Sequence, residues 1–293
     1  MNGSDVDIDW ESARRANQAN WEDRVPVHEE AYGLEAFDDP DHLSDVVRDD
    51  LAAISAFLPS GGLSGLDLCH LQCHIGTDTV SLARAGARVT GVDFSPSALH
   101  TAGELATRLG VEATWVETDV LDARAAVVGD FDVVYTSIGT ITWLDDLDRW
   151  AAQIVALLRP GGMFFIRDGH PALYALDEDA VGLTTRYPYF ATGHAQQWDD
   201  DSTYAGDGRI SHAHLRVAPL VVRDPRRAAA RRSTPLALRR GPDSAMAVQR
   251  PHGRGRRRLC LARGRTRSDA VHLHDHRPAG LRRLPRRPRA PGA

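Results

Sequence analysis

Lysine is absent from this chain of 293 residues, so all 35 of its strongly basic side chains are arginine. Cysteine is scarce as well: Cys69, Cys73 and Cys260 form an odd, sparse set. Such a set excludes a disulfide framework and fits a reducing, cytoplasmic setting. No apolar run approaches the roughly 18 residues that a membrane-spanning helix needs. The opening residues are acidic and polar, without the apolar stretch of a secretory signal, so no signal peptide is expected. From Val217 onward the chain also lacks Glu, Phe, Tyr and Trp. A segment so poor in large apolar groups cannot bury enough surface to offset the entropy of ordering it.

The formal net charge of −5 hides a split. Residues 1–216 hold 14 Arg against 36 Asp and Glu, whereas residues 217–293 hold 21 Arg against 4 Asp, with nine Pro. The composition boundary lies near Arg216. Hydrophobic residues make up 42% of the chain, enough for a sizeable core. We expect three parts: an N-terminal helical lid segment over 1–60, a folded α/β domain over 61–216, and an Arg/Pro-rich tail over 217–293 that is disordered.

Along the acidic part, Asp9–Arg24 reads as a helix interrupted by Pro26. Asp45–Leu58 reads as a second helix, with Val46, Val47, Leu51, Ile54 and Leu58 at helical spacing. From there strands and helices alternate. Strands are predicted at Gly65–Leu71, Ala87–Val92, Ala113–Glu117, Asp132–Thr136 and Met163–Arg167, and a further one over Gly208–Arg216. Helices are predicted at Thr77–Ala85, from Pro96 to about Leu109 behind the N-cap Ser95, and at Asp146–Leu158. This alternation argues for a parallel sheet covered on both faces.

In open α/β sheets, ligands sit beyond the carboxyl ends of the strands, where strand order reverses. The loop Gln72-Cys73-His74-Ile75-Gly76 and the strand-end Asp93 should therefore meet. Gly76 opens the next helix and permits close backbone approach to a ligand. A carboxylate at Asp93 can accept both hydroxyl protons of a ribose; the plainer alternative is a polar residue that merely ends a strand. The loop has no Gly-x-Gly-x-x-Gly. That counts against a dinucleotide, whose pyrophosphate needs close N–H groups at a helix start.

These residues resemble the class I S-adenosylmethionine-dependent methyltransferases, from about Asn20 to Arg216 and most strongly from Leu66 to Pro171. The family's loop commonly reads acidic-x-Gly-x-Gly-x-Gly. Here His70 stands at the acidic position, and Gln72 and His74 replace two glycines. A subgroup of small bacterial members has a similar His-Leu-Gln-Cys-His loop followed by Gly and Asp-Thr, matching His70–Thr79. The resemblance implies a doubly wound, mostly parallel Rossmann-like methyltransferase sheet, with its last two strands missing or disrupted in this chain. It implies S-adenosylmethionine as cofactor, held by Trp21, Gln72, Cys73, Gly76, Asp93, Phe94, Asp119, Val120 and Ser137. Backbone carbonyls of Gln72 or Cys73 would take the methionine amino group. Thr118-Asp119-Val120 would face the adenine, and Ser137-Ile138-Gly139 the sulfonium and the acceptor. Leu158–Gly162 looks like the family turn before the fifth strand. Trp21, His28 and Tyr32 would close over the cofactor as a lid, or else pack against the sheet edge.

Methyl transfer is a displacement at a carbon already activated by sulfonium, so such an enzyme mainly orients its reactants. A base is needed only if the acceptor must lose a proton. His170, just past the fifth strand, is the candidate base, with backbone capping in a loop as the alternative. Tyr135 and Thr142 are candidates for the acceptor pocket or for the core. The first functional reading is a methyltransferase acting on a small-molecule acceptor, without membrane or nucleic-acid partners. The second is a cofactor-binding but inactive product of a damaged gene, and the third an arginine-tailed nucleic-acid-binding module. No metal site is expected: Cys69–His74 has no second Cys pair, and His272, His274 and His276 have no core to support them. The tail reads as an out-of-frame translation. Codons permitted for Val217–Leu220, taken one nucleotide later, allow Trp-His-Pro, and those from Arg231 to Ser233 allow Ala-Gly followed by Leu, as in related methyltransferases. The absence of Lys fits a GC-rich gene, in which such shifts yield Arg, Pro and Ala.

Overall fold

The structure is a computed structural model that describes residues 4–6, 9–58, 60–177, 180, 182–189, 195–198, 201, 203–205, 208–212, 214–217, 236–240, 246–248 and 257–258. Ser4–Val6 forms β1, Trp10–Ala31 the long helix α1, and Asp45–Ile54 α2. Next come β2 (Asp67–Leu71), α3 (Thr77–Arg84), β3 (Arg88–Asp93), α4 (Pro96–Leu109) and β4 (Ala113–Glu117). They are followed by α5 (Ala123–Ala126), β5 (Phe131–Thr136), α6 (Leu147–Leu157), β6 (Leu158–Ile166) and α7 (Pro171–Tyr174). The last described elements are β7 (Ala195–Trp198), β8 (His214–Val217), β9 (Leu236–Arg240), β10 (Met246–Val248) and β11 (Arg257–Arg258).

The main sheet runs in the order β11-β10-β9-β6-β5-β2-β3-β4, and its five strands from β6 to β4 are parallel. The chain winds outward from β2 through β3 to β4, then returns to lay β5 and β6 on the other side. The switch point therefore falls between β2 and β5, and the expected doubly wound α/β sheet is present. Alternate strand residues feed two cores. Leu68, Val133, Tyr135, Met163 and Phe165 pack with Val47 and Ile54 of α2 and Leu82 of α3. Cys69, Leu71, Val134 and Phe164 pack with Trp150, Ile154 and Leu157 of α6. Burial on both faces is what near-continuous apolar strands require. A second, antiparallel sheet joins β1, β7 and β8.

Several boundaries match their local chemistry. Asp9 and Ser95 cap α1 and α4 through the amides of Ser12 and Ala98, and Gly110 ends α4 in the left-handed region. Two expectations need correction. Pro26 does not interrupt the first helix: α1 continues through it to Ala31, with Pro26 exposed and Val25 and His28 buried. Burying those side chains offsets the hydrogen bond that proline cannot make. Pro160-Gly161-Gly162 is not a turn outside the sheet but an irregular stretch within β6, where the register with β5 shifts between Phe131 and Val133. A Cβ at Gly162 would stand 2.9 Å from the carbonyl oxygens of Arg159 and Phe131, so only glycine fits that approach.

At the edge where the last two strands were expected to be missing or disrupted, β9 pairs antiparallel with β6, and the short β10 and β11 continue outward. Parts of the segment expected to be disordered are thus strand. Cys260, His272, His274, His276 and residues 218–234 of the out-of-frame reading lie outside the described residues. Among the described residues, no helix is long and apolar enough to cross a membrane.

Candidate active site

The loop that leaves β2 keeps a glycine-like backbone without the glycines. Gln72 (φ 58°) and His74 (φ 49°) are the two non-glycine residues with positive φ among those described, and Gly76 follows at φ 77°. The left-handed region costs a residue with a Cβ about 1–2 kcal/mol, so the loop stores strain where it meets the cavity. Backbone bonds hold the shape: Cys73 N donates to Val92 O at 3.0 Å, and Gly76 N to Cys73 O at 3.0 Å. Gly76 has no substitute, because a Cβ there would meet Ala102 Cβ and Trp115 Cη2, both at 2.7 Å.

Asp93 ends β3 beside this loop. Its Oδ2 accepts the His74 amide at 2.8 Å and its Oδ1 the Ser95 amide at 3.0 Å. Burial pushes its carboxyl up to about 6, although those amides and that of Phe94 pull it down. The two strand ends open into a cavity of about 620 Å³, bordered by Gln72, Cys73, His74, Asp93, Phe94, Asp119, Val120 and Ser137. Gln72 Nε2 donates to Thr140 O at 3.3 Å, while its buried Oε1 has no hydrogen-bond partner.

Helix α1 lies across the mouth. Gln18 Nε2 donates to Phe94 O at 2.6 Å, and Arg14 pairs with Asp145 at 3.2 Å and with Asp119 at 3.7 Å. Glu22 accepts from Ser97, and Glu29 from Thr101, so α1 is tied to α4 along its length. Trp21 borders the cavity with Tyr32, Trp143 and Tyr204.

Residues 69–164 match the family model described as a methyltransferase domain. This stretch carries the loop, Asp93, Asp119 and Ser137. It is a class I S-adenosylmethionine-dependent methyltransferase domain. S-adenosylmethionine is the cofactor of that domain. Among curated relatives, the chain is 32% identical over 103 residues to a ubiquinone biosynthesis O-methyltransferase of Methylobacterium sp. (strain 4-46), covering 35% of this chain and 41% of that one. It is 36% identical over 113 residues to an uncharacterized methyltransferase of Synechocystis sp., covering 38% and 49%. The chain thus spans about half the length, or less, of these relatives. A solved S-adenosylmethionine-dependent methyltransferase from Mesorhizobium loti is 26% identical over 43% of this chain and 56% of its own, with a TM-score of 0.35.

In this methyltransferase domain, eight of the nine residues expected to hold the cofactor border the cavity; Gly76 does not, and instead shapes the loop behind it. Asp119 also caps the turn after β4 through the Leu121 amide at 2.8 Å. His170, the expected base, lies off the cavity lining and caps α7, its Nδ1 accepting the Ala172 amide at 3.2 Å. The geometry there is that of a capping residue. Tyr135 and Thr142 are buried off the cavity as well, with Tyr135 donating to Asp50 at 2.6 Å. His28 is fully buried beneath the mouth, and Tyr32 reaches the cavity.

Sequence reasoning missed Asp78, Trp143, Asp145 and Tyr204. Asp78 stands in the first turn of α3, facing the cavity, its carboxyl pushed up to about 6 by burial despite hydrogen bonds from Ser44 and Ser137. Its place two residues after Gly76 was a usable signal. Tyr204 had none, because nothing in the pattern beyond Gly169 ties that segment to the sheet.

Proposed function

We propose that this chain is an S-adenosylmethionine-dependent methyltransferase acting on a small-molecule acceptor, with the cofactor's ribose on Asp93. One observation carries the reading. The Asp93 carboxylate takes the amides of His74 and Ser95, with that of Phe94 beside them, out of the roughly four lone-pair sites a carboxylate offers. The carboxylate is therefore held rigid, with acceptor capacity left over for a ribose hydroxyl. The rest of the cavity suits the same molecule. Its volume of about 620 Å³ lies in the usual ligand range. The orphaned Gln72 Oε1 is an acceptor in need of a donor, and the ammonium of the methionine moiety supplies one. Val92, Phe94, Val120 and Leu121 offer an apolar slot beside Asp119 for a flat base. Asp78, Asp93, Asp119 and Asp145 outnumber Arg14 on the lining, which favours a sulfonium cation.

When bound, the cofactor supplies an electrophilic methyl carbon; the protein's own part is to bind, orient and exclude water. Two of the relatives' features guide the assay: one is named an O-methyltransferase, and both are named methyltransferases. We place the enzyme in the cytoplasm. Calorimetric titration with S-adenosylmethionine tests the reading. Asp93→Ala should weaken binding by about 1–3 kcal/mol, the range for hydrogen bonds to a charged group. Unchanged affinity would mean that the ribose lies elsewhere.

A further inference from the structure

A chain of hydrogen bonds on the α1 side of the cavity takes no part in holding the ribose. Arg24 Nη1 donates to Thr203 Oγ1 at 2.9 Å, Thr203 Oγ1 lies 2.7 Å from His28 Nε2, and His28 Nδ1 lies 2.8 Å from His74 Nε2. His28 is fully buried and stacks on Tyr32 with ring centroids 5.0 Å apart, while His74 borders the cavity. Burial holds the His28 ring down to about 4 and the His74 ring down to about 3, so both are neutral at ordinary pH.

A neutral imidazole has one N–H and one bare nitrogen, and two arrangements satisfy this chain. In the first, the Thr203 hydroxyl donates to His28 Nε2, His28 donates from Nδ1 to His74 Nε2, and His74 keeps its hydrogen on Nδ1. In the second, Thr203 Oγ1 uses two lone pairs to accept from both Arg24 and His28 Nε2. His28 Nδ1 then accepts from His74 Nε2, and His74 Nδ1 is bare. No other described residue hydrogen-bonds that nitrogen. The second arrangement leaves a bare acceptor nitrogen on a residue that borders the cavity, the same residue whose amide fixes Asp93.

The surrounding walls narrow the acceptor. Trp21 stands edge-on to His74 at 5.1 Å and to Trp143 at 5.2 Å, giving the cavity an aromatic side. The Arg24 guanidinium already lies over both indoles, 5.2 Å from the Trp21 centroid and 5.8 Å from that of Trp143. A cationic acceptor would compete with the protein's own cation for those faces. A neutral acceptor with a transferable proton fits better.

We propose that His74 is the general base of this enzyme, positioned by His28, and that the acceptor is a hydroxyl group on a neutral, planar molecule. The inference rests on the methyltransferase reading above. In the step, the acceptor's O–H proton passes to His74 Nδ1 and an oxygen lone pair forms the bond to the methyl carbon. The S–C bond breaks with its electron pair passing to sulfur. An imidazolium appears as the sulfonium charge disappears, so the net charge of the buried site is conserved. Sharing the Nε2 proton with His28 spreads the new charge over two rings.

The test compares wild type with His74→Asn, which tolerates positive φ, and His28→Gln. S-adenosylmethionine is titrated first. Methyl-ether formation is then followed by mass spectrometry with phenol and with 4-nitrophenol, at a mildly alkaline pH where 4-nitrophenol is largely ionised and phenol is not; aniline is the amine control. Both variants should bind cofactor within about threefold of wild type. They should lose about 100-fold or more in kcat/KM on phenol, the usual scale of general-base catalysis, and far less on 4-nitrophenol, whose proton is already gone. Equal losses on the two phenols would mean that the rings only pack, and would overturn the proposal. Methylation of aniline without methylation of either phenol would overturn it, as would cofactor binding with no transfer to either phenol. Failure of wild type to bind S-adenosylmethionine would instead remove the cofactor reading and this proposal with it. If His28→Gln does not bind cofactor, His28→Phe, which keeps a ring against Tyr32, takes its place.

Discussion

At the residue scale the site is made of groups held away from their preferred states. Gln72 and His74 occupy glycine-like backbone positions, and Asp93 is a carboxylate kept where burial disfavours its charge. Gln72→Gly should therefore raise folding stability by about 1 kcal/mol by relieving the left-handed strain. It should also weaken S-adenosylmethionine binding, since it deletes the orphaned Oε1. Chemical denaturation and calorimetry on one variant read both signs; a rise in both quantities would show that the side chain has no role in binding. Asp93 has a folded pKa raised to about 6, so its ionisation costs stability as pH rises through 6, yet the ionised form is the better acceptor for hydroxyls. Cofactor affinity should fall several-fold between pH 7.5 and about 5. His28 has the opposite linkage. Its folded pKa is lowered to about 4, so its contribution is present above the unfolded value near 6.5 and is lost as pH falls toward 4. The stability difference between wild type and His28→Gln should shrink by about 3 kcal/mol at most from pH 7.5 to pH 4, as read by urea denaturation. A constant difference would mean that the ring takes up its proton as readily in the folded protein as in the unfolded chain.

At the element scale, most strands and helices were legible because periodicity and capping are local. Ser95, Pro96 and Gly110 mark both ends of α4, and the observed helix keeps those ends. The failures came where a distant partner decides. Pro26 reads as a stop, but α1 runs on because Val25 and His28 bury against the cavity loop and its neighbours. Pro26→Ala should restore a helical hydrogen bond and raise stability by up to about 3 kcal/mol without weakening cofactor binding; a lower melting temperature would show that the proline sets the helix direction. Gly91 in β3 shows the reverse dependence. A Cβ there would stand 2.5 Å from Trp115 Cζ3 and 3.0 Å from Cys73 Sγ. Gly91→Ala should destabilise the domain by about 1–3 kcal/mol and disturb the loop that carries Cys73.

At the scale of the whole molecule, the charge split along the chain has a structural counterpart. The described cavity lining runs from Arg14 to Tyr204 and uses nothing from the arginine-rich tail, whereas β9 covers the outer edge of β6. Truncation after Val217 should leave S-adenosylmethionine affinity nearly unchanged while lowering the melting temperature, because it uncovers a strand edge; loss of binding would show that the tail supports the cavity. The doubly wound sheet, its switch point and the meeting of Asp93 with the loop after β2 were determined by the sequence itself. They depend on residue type at short spacing: apolar strands, a glycine at a helix start, a carboxylate at a strand end. That His170 caps α7 away from the cavity while His74 borders it, that His28 packs against His74, and that Tyr204 reaches the mouth were decided by tertiary structure alone. A side chain's neighbours across α1, the β2 loop and residues 203–204 are set by how helices dock on the sheet, and docking leaves no periodic trace in a single chain.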